Sequence, residues 1–199
     1  ELIGLLPAWN SYSISSHPKL ELDWLIRYPD KEWDWLVISK HENLTLEWLE
    51  KLPDKFWSWI VISENKKLSL EWIIQFPDKS WDWSVEGISS HQNLSLEWII
   101  QFPDKPWDWG RFGISSNPNL QLEWLKKFPN KPWNWNTISK HKNLKLEWLI
   151  HFPNKNWYWE ATGISSNPNL QLEWLEQFPD KDWDWGWEGI SSNTNLQLE

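Results

Sequence analysis

The chain has 199 residues, of which 23 are tryptophan and none is cysteine or methionine, and its formal net charge is -9. The lack of cysteine excludes disulfides, thiolate metal sites and cysteine nucleophiles. The acidic balance disfavours nucleic acids and anionic membranes as partners, because both recruit basic charge, and no apolar run approaches the roughly 20 residues that span a bilayer. We therefore expect neither a nucleic-acid nor a membrane partner.

An internal period organises the chain, because the acidic place of the L-E-W pattern, counted from Glu1 to Glu199, recurs every 22 to 26 residues. A period of this length is typical of stacked repeat proteins. We predict one repeat domain over residues 1–199. Its blocks are a degenerate 1–22, then 23–46, 47–70, 71–96, 97–122, 123–146, 147–172 and 173–198.

The block 23–46 predicts two short helices. In LELDWLIRY, the apolar residues fall on one helical face, and Pro29 disfavours helix in the residue before it, so the first helix ends there. Asp30 is expected to cap a second helix that includes W-x-W, with Pro106 and Pro132 in its first turn in later blocks. We therefore predict an all-α fold, an α-solenoid of tandem 24–26-residue two-helix repeats that forms a superhelix.

The 26-residue blocks differ from the 24-residue blocks by two extra residues and a glycine before the isoleucine. These glycines are Gly87, Gly113, Gly163 and Gly189. Glycine adopts left-handed and other unusual backbone conformations, so we expect the second helix of the long blocks to end early there.

The tryptophans are either a row of exposed platforms for a ligand or the core. Each block has few other apolar residues, and each tryptophan buries a large area, so we predict that most are core. On a helix the two rings of W-x-W point to different faces, so one would pack on its own hairpin and the other on the next block. An extended segment would favour the platform alternative. The predicted core set is Trp24, Trp33, Trp35, Trp48, Trp57, Trp59, Trp72, Trp81, Trp83, Trp98, Trp107, Trp109, Trp124, Trp133, Trp135, Trp148, Trp157, Trp159, Trp174, Trp183 and Trp185.

The histidines do not indicate a metal site. His17, His41, His91 and His141 each lie three residues after the block isoleucine, where other blocks have asparagine. A place that alternates between histidine and asparagine is typical of a polar turn residue, and successive blocks would hold these side chains too far apart to share one ion. We expect His151 to be a surface residue and predict no metal and no cofactor.

The repeated charges are interpreted as structural. The acidic residue before the first tryptophan of a block is expected to be a helix-start charge or a partner for lysine, since a catalytic pair would need two carboxyls in a cleft. The block lysines are Lys31, Lys55, Lys79, Lys105, Lys131, Lys155 and Lys181. A repeat protein that reads RNA bases would also carry aromatic and lysine rows, but the net charge opposes it. We predict that the protein is not an enzyme.

The pattern ISSNPNLxLEWLxxFPDKPWDW resembles the leucine-rich repeat variant, with its N-P-N turn, short glutamate-containing helix and P-D turn. That resemblance implies alternating α and 3-10 helices in a superhelix, although tryptophan stands where that family has other residues. The segments PDKPWDW and SSNPN more closely resemble the tryptophan-rich tandem repeats of large DNA-virus proteins. This second resemblance implies a virus-related protein, located in the virion or the host cytoplasm.

The two ends of the sequence are in the same phase of the repeat, so either the sequence is an excerpt of a longer array or molecules stack head to tail. The apolar residues at these ends, expected to form assembly contacts, are Leu2, Ile3, Leu5, Leu6, Leu196 and Leu198. We predict a structural or scaffolding protein whose partner is protein, including itself, in a filament or larger particle. The alternative is a module that binds protein or glycan on the concave solenoid face.

Overall fold

The structure, a computed structural model, describes residues 10–196, and every regular element in that range is helical. The α-helices are α1 Ser11–Ser15, α2 Leu22–Arg27, α3 Trp35–Ser39, α4 Leu46–Lys51, α5 Trp59–Ile62, α6 Leu70–Gln75, α7 Leu96–Gln101, α8 Leu122–Lys127, α9 Trp135–Ser139, α10 Leu146–His151 and α11 Leu172–Gln177. The 3-10 helices are Ile88–Ser90, Ile114–Ser116, Ile164–Ser166 and Ile190–Ser192. The predicted fold of tandem two-helix repeats is confirmed.

The first helix of each repeat forms as the sequence predicts. Helix α2 ends at Arg27, and the N–H of Tyr28 closes its last turn on the carbonyl of Trp24 at 3.0 Å, before Pro29. Leu25 is buried, and Asp23 lies in the first turn, where a negative charge favours the helix. Helices α4, α6, α7, α8, α10 and α11 have the same length and the same closing bond.

The second helix begins later than predicted. The cap of α3 is Asp34, whose backbone is extended and whose carboxylate accepts a hydrogen bond from the N–H of Val37 at 3.1 Å. Asp30 lies in a turn instead, so the prediction that it caps a helix is wrong, and Pro106 and Pro132 lie in non-helical connections. The reason is that the first ring of W-x-W bonds back to its own repeat, which needs an extended chain at this point.

The long repeats have no second α-helix for their glycines to end, because a 3-10 helix that follows each glycine stands in its place. The left-handed backbone expected of these glycines is not what they use either. No described glycine has a positive φ. At Gly113, an added Cβ would lie 2.1 Å from the backbone oxygen of Asp108, and the other three glycines make the same close approach. The chain can therefore fold back here only without a side chain, and a 3-10 turn replaces the helix.

The chain divides into two compact units, Glu1–Asp82 with Glu86–Ile88, and Trp83–Val85 with Ser89–Glu199. The described part of unit 1 contains α1 to α6, and unit 2 contains α7 to α11. The division falls inside the block 71–96. Each unit has its own buried row of leucine and isoleucine, such as Leu44 and Ile62 in unit 1 and Leu120 and Ile138 in unit 2.

Candidate interaction surfaces

Three sets of tryptophans recur in the repeat, and we name them by position. The helix tryptophans lie in the first helix: Trp24, Trp48, Trp72, Trp98, Trp124, Trp148 and Trp174. The inner tryptophans come first in W-x-W: Trp33, Trp57, Trp81, Trp107, Trp133, Trp157 and Trp183. The junction tryptophans come second: Trp35, Trp59, Trp83, Trp109, Trp135, Trp159 and Trp185.

Each inner tryptophan stays with its own repeat. Nε1 of Trp133 donates a hydrogen bond to the carbonyl of Phe128, the residue before the proline, at 2.8 Å. All seven inner tryptophans make this bond, at 2.8 to 3.0 Å. The bond satisfies the polar edge of a buried ring and holds the connection against the end of the first helix.

Each junction tryptophan before Trp185 reaches the next repeat. Trp109 meets Trp133 with ring centroids 4.8 Å apart and planes at 81°, an edge-to-face contact. Six such pairs occur, at 4.8 to 5.0 Å and 71 to 81°. The connection is extended, but the two rings still divide between one repeat and the next, so they form no shared platform.

The block lysines cover the junction rings. Nζ of Lys131 lies 5.4 Å from the ring centroid of Trp109 in the preceding repeat. Six lysines make this cation–π contact at 5.4 to 5.7 Å. The sequence suggests a carboxylate as the partner of the block lysines. In the structure, six of them contact an aromatic ring of the neighbouring repeat instead. An ion pair joins Arg27 and Asp23 at 2.7 Å within α2.

A buried serine in each repeat before the last described one joins two backbones. Ser115 accepts a hydrogen bond from the N–H of Asn134 in the next repeat at 2.9 Å and donates one to the carbonyl of Trp109 in its own. Seven such bonds cross between repeats, at 2.8 to 2.9 Å. Sequence reasoning missed this role, although the I-S that follows every junction tryptophan was a visible signal.

The positions that alternate between histidine and asparagine form a ladder. In unit 2, Asn117 donates to the carbonyl of His91, His141 to Asn117, Asn167 to His141, and Asn193 to Asn167. His141, Asn117 and Asn167 are buried. These residues are turn residues, as expected, and they also bond successive repeats to one another.

The protonation state of His141 follows from its two bonds. Its Nδ1 accepts a hydrogen bond from the N–H of Asn143, so Nε2 carries the proton that it donates to Asn117. Burial lowers the pKa of His141, the bond to Asn117 raises it in part, and the nearby Lys142 lowers it further. The neutral imidazole is therefore the form that fits the ladder.

The predicted core tryptophans differ in how far they are buried. Fifteen of the 21 are buried, and Trp24, Trp35, Trp59, Trp135 and Trp159 are half-buried. Trp185 differs, because 64% of its surface is exposed. No residue of a following repeat covers it within 10–196, so this residue departs from the predicted core. Leu196 is half-buried, while the other predicted assembly residues, Leu2, Ile3, Leu5, Leu6 and Leu198, lie outside the described residues.

Unit 2 carries an open groove of about 890 Å³ that runs along the first helix of each of three repeats. Helices α8, α10 and α11 border it and contribute Glu123, Glu147 and Glu173, one from each. Lys142 and Lys145 also line it. Ile150 is half exposed in its wall, whereas the helix tryptophans that line it are buried. The groove thus offers charges of both signs and aliphatic surface.

Among residues 10–196, no three His, Cys, Asp or Glu side chains are grouped so as to hold a metal ion. No helix in that range is long and apolar enough to cross a membrane. Comparison with protein families, curated proteins and solved structures finds no match to this chain.

Proposed function

We propose that the protein is a non-enzymatic structural scaffold of stacked repeats that associates with other copies of itself. The observation that carries this proposal is the use of the recurrent polar and aromatic side chains. The block serine, lysine and junction tryptophan each contact the neighbouring repeat. These recurring side chains therefore serve to join repeats. Following the resemblance to repeats of large DNA-virus proteins, we also propose a virus-related origin.

Self-association is tested by sedimentation velocity of the 199-residue chain over a concentration series, with electron microscopy of the same samples. The scaffold proposal expects species larger than a monomer that grow with concentration, because an interface repeated head to tail leaves a free face at each end. A single monomeric species throughout the series would contradict it.

A second candidate function is binding of an extended peptide in the groove of unit 2. Charges of both signs and the aliphatic side chain of Ile150 suit a peptide, whereas a glycan usually needs an exposed aromatic face to stack on. Trp148 and Trp174 are each only 3% exposed, so they present no such face. The groove's mixed polar and apolar lining is typical of ligand sites.

The peptide proposal is tested by display of a random peptide library against wild type and the variant Ile150→Glu. The matched control is Ile100→Glu, since Ile100 has the same helical position and is similarly exposed, at 46% against 51%, but lies outside the groove. Peptides enriched on wild type should lose binding to I150E and keep it with I100E. Equal loss in both variants, or no enrichment, would refute the groove as a site.

A further inference from the structure

Three neighbouring helices of unit 1 carry an exposed apolar residue at the same place. Tyr12, Leu36 and Ile60 are the second residues of α1, α3 and α5, and they are 63%, 59% and 57% exposed. Helix α3 packs against both α1 and α5, so the three residues form a row across successive repeats. Leu36 has a neighbouring repeat on each side and is still exposed, so the row is open surface within the stack.

The same place in unit 2 is polar. Helix α9 has Asn136 and Thr137 where α3 has Leu36 and Val37. The two helices share the cap bond to the third residue, the junction tryptophan and the buried isoleucine and serine. The repeat therefore folds without an aliphatic residue at this place, and the apolar row is a feature of the surface of unit 1.

Charges of opposite sign lie beside the row. Lys40 and Glu64 follow Leu36 and Ile60 by four residues, which places each charge on the same side of its helix as the apolar residue. The N–H of each charged residue bonds to the carbonyl three residues before it at 3.2 Å, so the two turns have the same form. Both residues are exposed, and neither forms an ion pair within 10–196. The lateral face, as we call it, consists of Tyr12, Leu36, Ile60, Lys40 and Glu64.

The lateral face is complementary to itself. A two-fold axis that lies in the interface, between α3 and α5 and parallel to them, reverses the order of the helices in a second copy. It places Leu36 opposite Ile60 of the second copy and Lys40 opposite Glu64 of the second copy, and each contact occurs twice. Apolar residues then meet one another, and opposite charges meet beside them, as is typical of protein interfaces.

We propose that the lateral face binds the lateral face of a second copy, so that two molecules pair side by side about a two-fold axis. The proposal rests on the self-association proposed above and names a surface for it. Packed helices lie about 8 to 10 Å apart, and any partner must present an acidic and a basic group at that spacing. A second copy has both groups in the required order. Because a two-fold contact closes on itself, this contact alone yields a dimer.

Leu36→Asn tests the apolar row, because Asn136 shows that the helix accepts asparagine at this place. The matched control is Ile74→Asn, since Ile74 is 50% exposed on α6 of the same unit but lies outside the row. Sedimentation velocity over a concentration series measures association, and circular dichroism and thermal melts confirm that each variant is folded. We expect association about tenfold weaker or more for L36N, which removes two symmetric contacts, and less than about threefold weaker for I74N.

Reversal of the charges tests the two-fold pairing. Lys40→Glu places two carboxylates against each other, and Glu64→Lys does the same with two ammonium groups, in each case twice per dimer. Each variant alone should associate about tenfold more weakly than wild type, because like charges oppose binding. An equal mixture of K40E and E64K should recover association, and so should the double variant, since every pair is then again of opposite sign.

The outcomes separate the lateral face from the scaffold function. If wild type associates and L36N associates as strongly, or I74N is weakened as much as L36N, the lateral face is refuted and the scaffold stands. If the mixture of K40E and E64K stays as weak as either variant alone, the two-fold pairing is refuted. If wild type is monomeric at every concentration, both proposals fall.

Discussion

At the residue scale, the block serine is a polar group that joins the backbones of neighbouring repeats. A buried hydroxyl that is both acceptor and donor satisfies two backbone groups that water cannot reach. Ser115 does this between Trp109 and Asn134 with no exposed surface of its own. A small residue is needed because repeat backbones meet here, and alanine would fit the space but satisfy neither group.

We therefore predict that Ser115→Ala lowers the free energy of unfolding by about 1 to 3 kcal/mol, the usual cost of a buried polar group left without its partner. The neighbouring Ser116 is exposed and bonds only to Gly113 of its own turn, so Ser116→Ala should cost less than about 0.5 kcal/mol. Urea unfolding midpoints of the two variants measure the difference. Equal losses would show that the bond across the repeats adds nothing.

His141 makes the ladder sensitive to acid. Because its pKa in the folded chain lies below the ordinary value of 6.5, the unfolded chain takes up the proton first as pH falls. The stability that the neutral ring contributes is complete above about pH 6.5 and is lost below it, down to the pKa of the folded state. Protonation would also put a second N–H against the N–H of Asn143.

We expect the unfolding free energy to decline as the pH falls below about 6.5, and His141→Asn to flatten part of that decline. Asparagine is the matched replacement, since Asn117 and Asn167 fill the same place in the ladder. Urea titrations at each pH provide the measurement, and a slope unaltered in H141N would contradict the assignment.

At the element scale, the sequence defines where helices stop better than where they start. Pro29 disfavours helix in the residue before it whatever the surroundings, so the end of α2 could be predicted from the chain alone. The start of α3 could not, because Asp30 and Asp34 are equally good caps by residue type. The choice is made by the bond from Trp33 to the carbonyl of Tyr28, which requires an extended connection and is a tertiary contact.

The cap assignment gives an element-scale prediction in the block 123–146. Asn134 accepts from the N–H of Thr137 at 2.9 Å, so Asn134→Ala should destabilise the protein by about 1 kcal/mol. Asn130, the cap expected from the pattern, is exposed in a turn, and Asn130→Ala should change stability by no more than a few tenths of that. Thermal melts of N134A and N130A decide which residue caps the second helix. A larger loss of stability in N130A would support the cap predicted from the sequence.

At the scale of the whole molecule, burial of a tryptophan depends on the repeat beside it. Trp109 and Trp185 have the same local sequence, W-D-W-G, but Trp109 is buried by Trp133 and Phe128 of the next repeat and Trp185 is not. No pattern within one block distinguishes them. The sequence therefore predicts the core set of the repeat, while the exposed surfaces follow from the neighbours that each copy of the repeat has.

Because contacts join adjacent repeats, they also predict how far the effect of one weakened junction extends along the array. In a repeat stack, stability is approximately a sum over repeats and the interfaces between adjacent ones, so a weakened junction opens locally before the chain unfolds. Ser115→Ala should speed hydrogen exchange at the amides of α9, on the far side of its junction, by about tenfold, a loss of about 1.4 kcal/mol. The amides of α11, beyond the next repeat of the same unit, should change less than about twofold. Mass spectrometry of exchange without denaturant, with S116A as the control, measures both segments. Equal acceleration in α9 and α11 would mean that unit 2 opens as one cooperative body, and that its repeats are not independently stable elements of the scaffold.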